Sequence, residues 1–189
     1  MEAKYYLEFP HEYGVELLKD LPIEADFLCY PGAIESGSLD GLIVRITPKG
    51  QDEWLGIFAY GYPEEEYSDC NGVYSCPDPN SLCVVSDGDA FIVDTGSPKQ
   101  WTIVRCTPVL SVKSLVDQGL LLFIDFSSIW AWGKDGLQWY ANVAHDGLAV
   151  EGVNEAFVYG RAFGPVPGKE NVYFQIELKT GKVTGGNCV

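Results

Sequence analysis

The stretch Leu82-Cys83-Val84-Val85-Ser86-Asp87-Gly88-Asp89-Ala90-Phe91-Ile92-Val93-Asp94 decides the fold class. Two apolar runs of strand length stand on either side of an Asp-Gly pair. Both turn residues tolerate positive φ, so Asp87-Gly88 suits a tight hairpin. The unit therefore reads as strand, turn, strand rather than as a piece of helix.

The same grammar runs outward in both directions. Apolar runs of strand length fall at 25–30, 42–47, 54–60 and 101–106. Others fall at 120–125, 128–132, 137–142, 148–153, 156–163 and 172–178, punctuated by Gly, Pro, Asn and Asp. Leu42, Val44 and Ile46 alternate with Ile43 and Arg45, and Phe174 and Ile176 alternate with Gln175 and Glu177, as two-faced strands require. Lys134-Asp135-Gly136 and Lys179-Thr180-Gly181-Lys182 supply further turns. Two short helices are expected. One covers 10–19, with Tyr13 and Leu17 on one face; the other covers 111–118, capped by Ser111 and stopped by Gly119. The segment 61–80 is the least patterned and reads as a long loop. The expected fold is all-β or nearly so: an antiparallel β-sandwich or partly rolled barrel with one or two short helices. Residues 1–189 are expected to form one domain, with a sub-division near residue 100.

Composition narrows the function. Hydrophobic residues at 47% and charged residues at 21% are a globular balance. The apolar run Leu120–Ile124 is cut by Asp125, far short of a membrane span, and Met1-Glu2-Ala3-Lys4 lacks the basic and apolar regions of an export leader. The expectation is a cytoplasmic protein whose six cysteines are reduced. The net charge is −15, and it is uneven: residues 1–100 hold 19 acids and five bases, the remainder eight acids and seven bases. Such a chain is a poor ligand for nucleic acid or anionic lipid, and its charge points to a cationic partner.

Catalytic signatures are thin. Only two histidines are present, His11 and His145, and the spacing of Cys70, Cys76 and Cys83 matches no ordinary zinc module. A hydrolase or transferase would draw on Cys76 or Cys83 as nucleophile with His145 as base, or on paired carboxylates. The simpler reading of His145-Asp146-Gly147 is a turn before Leu148. No cofactor and no metal site is expected. Candidate binding residues are Glu64, Glu65, Glu66 and Asp69, and the pair Trp130 and Trp132, whose rings share one strand face. Exposed, that pair makes a sugar-stacking platform or a protein-binding hot spot; buried, it fills the core, which is the preferred reading.

The run Leu120-Leu121-Leu122-Phe123, Ser128-Ile129-Trp130-Ala131-Trp132, Gly133–Gly136 and Leu137-Gln138-Trp139 resembles a blade of the quinoprotein-type β-propeller repeats. Phe174–Val183 resembles the same unit. The first turn is shorter and lacks Thr, the second unit lacks the closing Trp, and about 65 residues are covered where a propeller needs at least four blades. The resemblance implies an antiparallel meander and carries over no cofactor site. The same region, with His145-Asp146-Gly147-Leu148 and Gly185-Gly186, is also similar to stand-alone bacterial proteins of unassigned function.

The leading functional expectation is a non-catalytic binding protein, immunity- or inhibitor-like, engaging a basic protein through an acidic face. Cys/His or carboxylate catalysis is the alternative, and a carbohydrate-binding module is third.

Overall fold

Alternation of buried and less buried side chains marks strands such as Ser128–Gly133, Phe157–Phe163 and Val172–Glu177, whereas Gly72–Ser75, Ser81–Ser86 and Leu120–Ile124 are buried almost throughout. A computed structural model describes residues 3–35, 40–61, 69–164 and 171–187. It divides the chain into two compact units, Met1–Val109 and Leu110–Val189, each built from two sheets.

In the first unit, one sheet has the order β1 (Lys4–Tyr6), β6 (Gly72–Ser75), β7 (Ser81–Ser86), β8 (Asp89–Asp94) and β9 (Trp101–Ile103). The other has the order β2 (Tyr13–Leu18), β4 (Gly41–Pro48), β5 (Trp54–Ala59) and β3 (Phe27–Tyr30). Two pairings are parallel, β1 with β6 and β3 with β5, and the rest are antiparallel. Val44, Ile46, Phe58 and Tyr30 from one sheet meet Val73, Leu82, Val84, Phe91 and Val93 from the other in a shared core. Tyr30 stacks on Phe58 at 4.6 Å between ring centroids and presents its edge to Trp101. The hairpin read from residues 82–94 is present: Ser86 pairs with Asp89, and Asp87 and Gly88 take φ values of 41° and 88°. Asn71 braces this turn, its side-chain oxygen accepting the Asp87 backbone N–H at 2.8 Å and its amide donating to the Asp87 carboxylate.

The second unit contains two meanders in strict chain order. They are β10 (Ser111–Leu115), β11 (Leu120–Ile124), β12 (Ser128–Gly133) and β13 (Gly136–Asn142), then β14 (Gly147–Val153), β15 (Phe157–Phe163), β16 (Val172–Glu177) and β17 (Val183–Gly185). Every pairing is antiparallel. Leu122, Ile129, Ala131 and Trp139 of the first meander pack on Val158, Ala162, Phe174 and Ile176 of the second.

The all-β class is therefore what the chain adopts, with no closed barrel. Both expected helices are corrected. Residues 13–18 form β2, because Tyr13, Val15 and Leu17 all face the core at a period of two; their spacing satisfies i, i+4 as well, which is why a helix was also readable. Residues 111–115 form β10, which pairs with the fully buried β11; only Val116–Gln118 make a 3-10 turn, closed by Gly119 at φ 63°. The expected loop 61–80 contains β6, a four-residue strand between β1 and β7. Among the described residues no helix is long and apolar enough to cross a membrane.

Candidate functional site

The site forms where the parallel pair β3–β5 opens at its start. Phe27 lies opposite Leu55, and the chain enters β3 from a turn in which the Ala25 backbone N–H donates to the Pro22 carbonyl at 3.3 Å. After β3, Gly32 (φ 112°) and Ala33 (φ 50°) reverse the chain, and Cys29 and Ile34 exchange backbone hydrogen bonds. This tight return delivers Glu35 to the same recess as Asp26. The result is a cleft of about 330 Å³ with Ala25, Phe27, Leu28, Trp54 and Leu55 in its walls and the carboxylates of Asp26 and Glu35 beside them. Trp54 is held by its indole N–H, which donates to the Thr95 carbonyl at 2.8 Å.

Apolar walls with two carboxylates match a long cationic side chain. The methylene stem of a Lys or Arg packs on the walls, the head reaches the carboxylates, and a Trp face favours a nearby cation. Glu35 already draws one cation of its own chain, with Lys99 Nζ 3.7 Å from Oε1. Beside the cleft, the connection carrying Asp20, Glu24 and Asp26 raises Ile23 into solvent at 94% exposure.

The acidic character extends over the unit. Its 109 residues hold 19 acids against six bases, whereas the second unit holds eight against six. Eleven of the fifteen described acids of the first unit are exposed, so the charge is presented to solvent rather than buried. Three bases are already engaged: Arg45 with Glu16, Lys49 with Glu12, and Lys99 with Glu35.

Of the residues singled out from sequence, Asp69 is exposed, while Glu64, Glu65 and Glu66 lie outside the described residues. Trp130 and Trp132 are half-buried, on the face of β12 opposite Ile129 and Ala131, and they share that face with the fully buried Phe123 and Leu121 of β11. Trp130 lies against the exposed Tyr140, with centroids 4.3 Å apart and planes inclined by 49°. Its indole N–H donates to Ser128 Oγ at 3.1 Å and to Asp125 Oδ2 at 3.3 Å, and Asp125 Oδ1 accepts the backbone N–H groups of Ser127 and Ser128.

The Cys/His alternative meets unfavourable surroundings. Cys76 and Cys83 are buried in the first unit at 1% and 0% exposure, and burial pushes both thiols up, away from the nucleophilic thiolate. Cys70 is pushed up to about 11, again by burial first. His145 sits on an exposed turn of the second unit, between β13 and β14, where its backbone N–H donates to Asn187 Oδ1 at 3.0 Å. Among the described residues no group of His, Cys, Asp and Glu has the arrangement of a metal site.

Two expected outcomes follow from these environments. Among the described residues Cys29, Cys70, Cys76, Cys83 and Cys106 are buried and form no disulfide. Thiol titration of the denatured, unreduced chain is expected to count close to six groups, and the native chain at neutral pH is expected to label far more slowly. A count of two or fewer in denaturant contradicts reduced cysteines. His145→Ala, on a solvated turn, is expected to shift stability by no more than about 0.5 kcal/mol in urea unfolding. A clearly larger loss would give the imidazole a structural role that the geometry does not show.

No family model matches the chain, and no curated protein matches it. Among solved structures, one described as "Crystal structure of the eukaryotic initiation factor" is similar at a TM-score of 0.39 and 11% identity. The likeness covers 77% of this chain and 40% of that one, a level that carries no functional argument.

The cleft was missed in the sequence because Asp26, Glu35 and Trp54 come from three separate segments joined by a parallel pairing. The one available signal was local: Leu21-Pro22-Ile23-Glu24-Ala25-Asp26 places an apolar residue among acids and beside a proline.

Proposed function

We propose that the chain is a non-catalytic binding protein that engages a basic protein through the acidic surface of its first unit, in the manner of an immunity or inhibitor protein. The observation that carries this reading is the cleft in which Asp26 and Glu35 stand beside apolar walls and Trp54, within a unit whose carboxylates are mostly exposed. Exposed Ile23 provides an apolar anchor next to it. Long-range attraction brings the partner in, and the cleft selects one Lys or Arg side chain of the docked surface. The cytoplasm, with its reducing environment, is the compartment this reading assigns, in keeping with buried cysteines that form no disulfide among the described residues.

The test is a pull-down from the native lysate at low and high salt, with the wild-type chain and with Asp26→Lys/Glu35→Lys. Both positions are exposed, so the variant is expected to fold. A basic protein is expected at low salt, lost at high salt and lost with the variant. No partner at low salt, or one indifferent to both salt and reversal, removes the support for this reading.

A further inference from the structure

The sheet β14–β17 has two unlike faces. Leu148, Val150, Val158, Ala162, Phe174 and Ile176 face the core of the second unit. On the opposite face β15 presents Phe157, Tyr159, Arg161 and Phe163, and β16 presents Tyr173, Gln175 and Glu177, whose carboxylate accepts the Thr180 hydroxyl; none of these side chains is buried. Four aromatic rings on one open sheet face serve no packing role in the core behind them.

The rings are laid down rather than erect. A Cβ added to Gly152 would come within 2.3 Å of the Tyr159 hydroxyl and 2.5 Å of its Cζ, so the ring occupies the space where a side chain at 152 would project. The Phe163 ring reaches to 3.5 Å from the equivalent point on Gly147. Tyr159 and Tyr173 have centroids 6.4 Å apart, with their planes inclined by 34°. Between the rings stand planar hydrogen-bonding side chains. Arg161 Nε donates to Glu151 Oε1 at 2.8 Å, and Gln175 lies directly opposite Tyr159.

We propose that this face binds a neutral polysaccharide, its pyranose rings stacking on Tyr159, Tyr173 and Phe163 and its hydroxyls bonded by Arg161, Glu151 and Gln175. A pyranose ring is amphipathic: its C–H face needs an aromatic surface, and its rim of hydroxyls needs donors and acceptors in the same plane. Arg161 and Glu151 neutralise one another, which suits an uncharged ligand. The chain's charge of −15 opposes the phosphates of a stacked nucleic acid. Aromatic rings beside an arginine also occur in protein interfaces, and the sedimentation arm of the test below decides against a second copy of the chain as the occupant. The proposal concerns the second unit and stands apart from the acidic cleft.

The test is native affinity electrophoresis of the full chain through gels containing hydroxyethylcellulose, laminarin or galactomannan. At least one polysaccharide is expected to retard the wild type, and Tyr173→Ala, at a position 49% exposed, is expected to abolish the retardation. Gly152→Ala keeps every aromatic residue but displaces the Tyr159 ring, and is expected to weaken retardation. Trp130→Ala is expected to leave it unchanged. No retardation in any of the three gels overturns the proposal, as does retardation that survives Tyr173→Ala. Loss through Trp130→Ala instead would move the stacking surface to the β12–β13 hairpin and also overturn it. Sedimentation velocity completes the set: if Tyr173→Ala turns dimers into monomers, the face joins two copies of the chain and the proposal falls.

Discussion

Trp139→Ala is expected to destabilise the chain by about 3–5 kcal/mol, the range for removing a large aromatic side chain from a packed core. Trp139 is 7% exposed and belongs to the cluster that joins the two meanders of the second unit. Its indole N–H donates to the Leu178 carbonyl at 2.6 Å, tying β13 to the end of β16. The ring also covers Gly181, whose φ of 71° suits glycine and where an added Cβ would come within 2.6 Å of the Trp139 side chain. Alanine removes the ring, opens a cavity and leaves a carbonyl without its partner. Trp139→Phe retains most of the volume and is expected to cost less, about 1–3 kcal/mol, chiefly from the orphaned Leu178 carbonyl. Urea unfolding read by far-UV circular dichroism distinguishes these outcomes. Trp130→Ala, from the half-buried side of the neighbouring strand, should cost clearly less than Trp139→Ala. Equal losses would contradict the difference in burial between Trp139 and Trp130.

Strand positions were legible where two signals agreed. The hairpin at 82–94 combined apolar runs with an Asp-Gly turn, and the structure places both strands and the two-residue turn there. Tyr13 and Leu17 carried only one signal, a spacing of four, which a helix face and a strand face share. The pairing of β2 with residues 43–48 decided for strand, and that partner is not adjacent in sequence. Gly72–Ser75 was illegible for a different reason. Val73 faces the core between the two sheets, while Tyr74 on the other face is buried against Tyr6, so the segment shows no alternation to read.

Function was legible only as a charge imbalance. That half of the chain is acidic can be counted; which carboxylates share a recess depends on tertiary pairing. Asp26 and Glu35 meet because β3 runs parallel to β5 and because Gly32 and Ala33 accept positive φ. Trp130 and Trp132 illustrate the same limit on the other unit. Their two-residue spacing placed them on one face, but only the pairing of β11 with β12 shows that this face also carries the buried Phe123 and Leu121.

The second large effect is on association rate, and it tests the central claim most directly. Exposed charges are screened beyond about 8 Å at physiological ionic strength, so attraction between an acidic surface and a basic partner acts mainly on encounter. Association of the captured partner with the wild-type chain should be measured by stopped-flow fluorescence across a salt series. Raising the salt well above physiological is expected to slow association by roughly 10-fold or more. Reversing Asp26 and Glu35, or Glu64, Glu65 and Glu66, is expected to produce a similar slowing at low salt. Reversing Lys179 and Lys182, on the near-neutral second unit, is expected to leave the rate unchanged. An association rate independent of salt and of the first-unit reversals, or one that depends on Lys179 and Lys182 instead, would contradict the acidic-surface account.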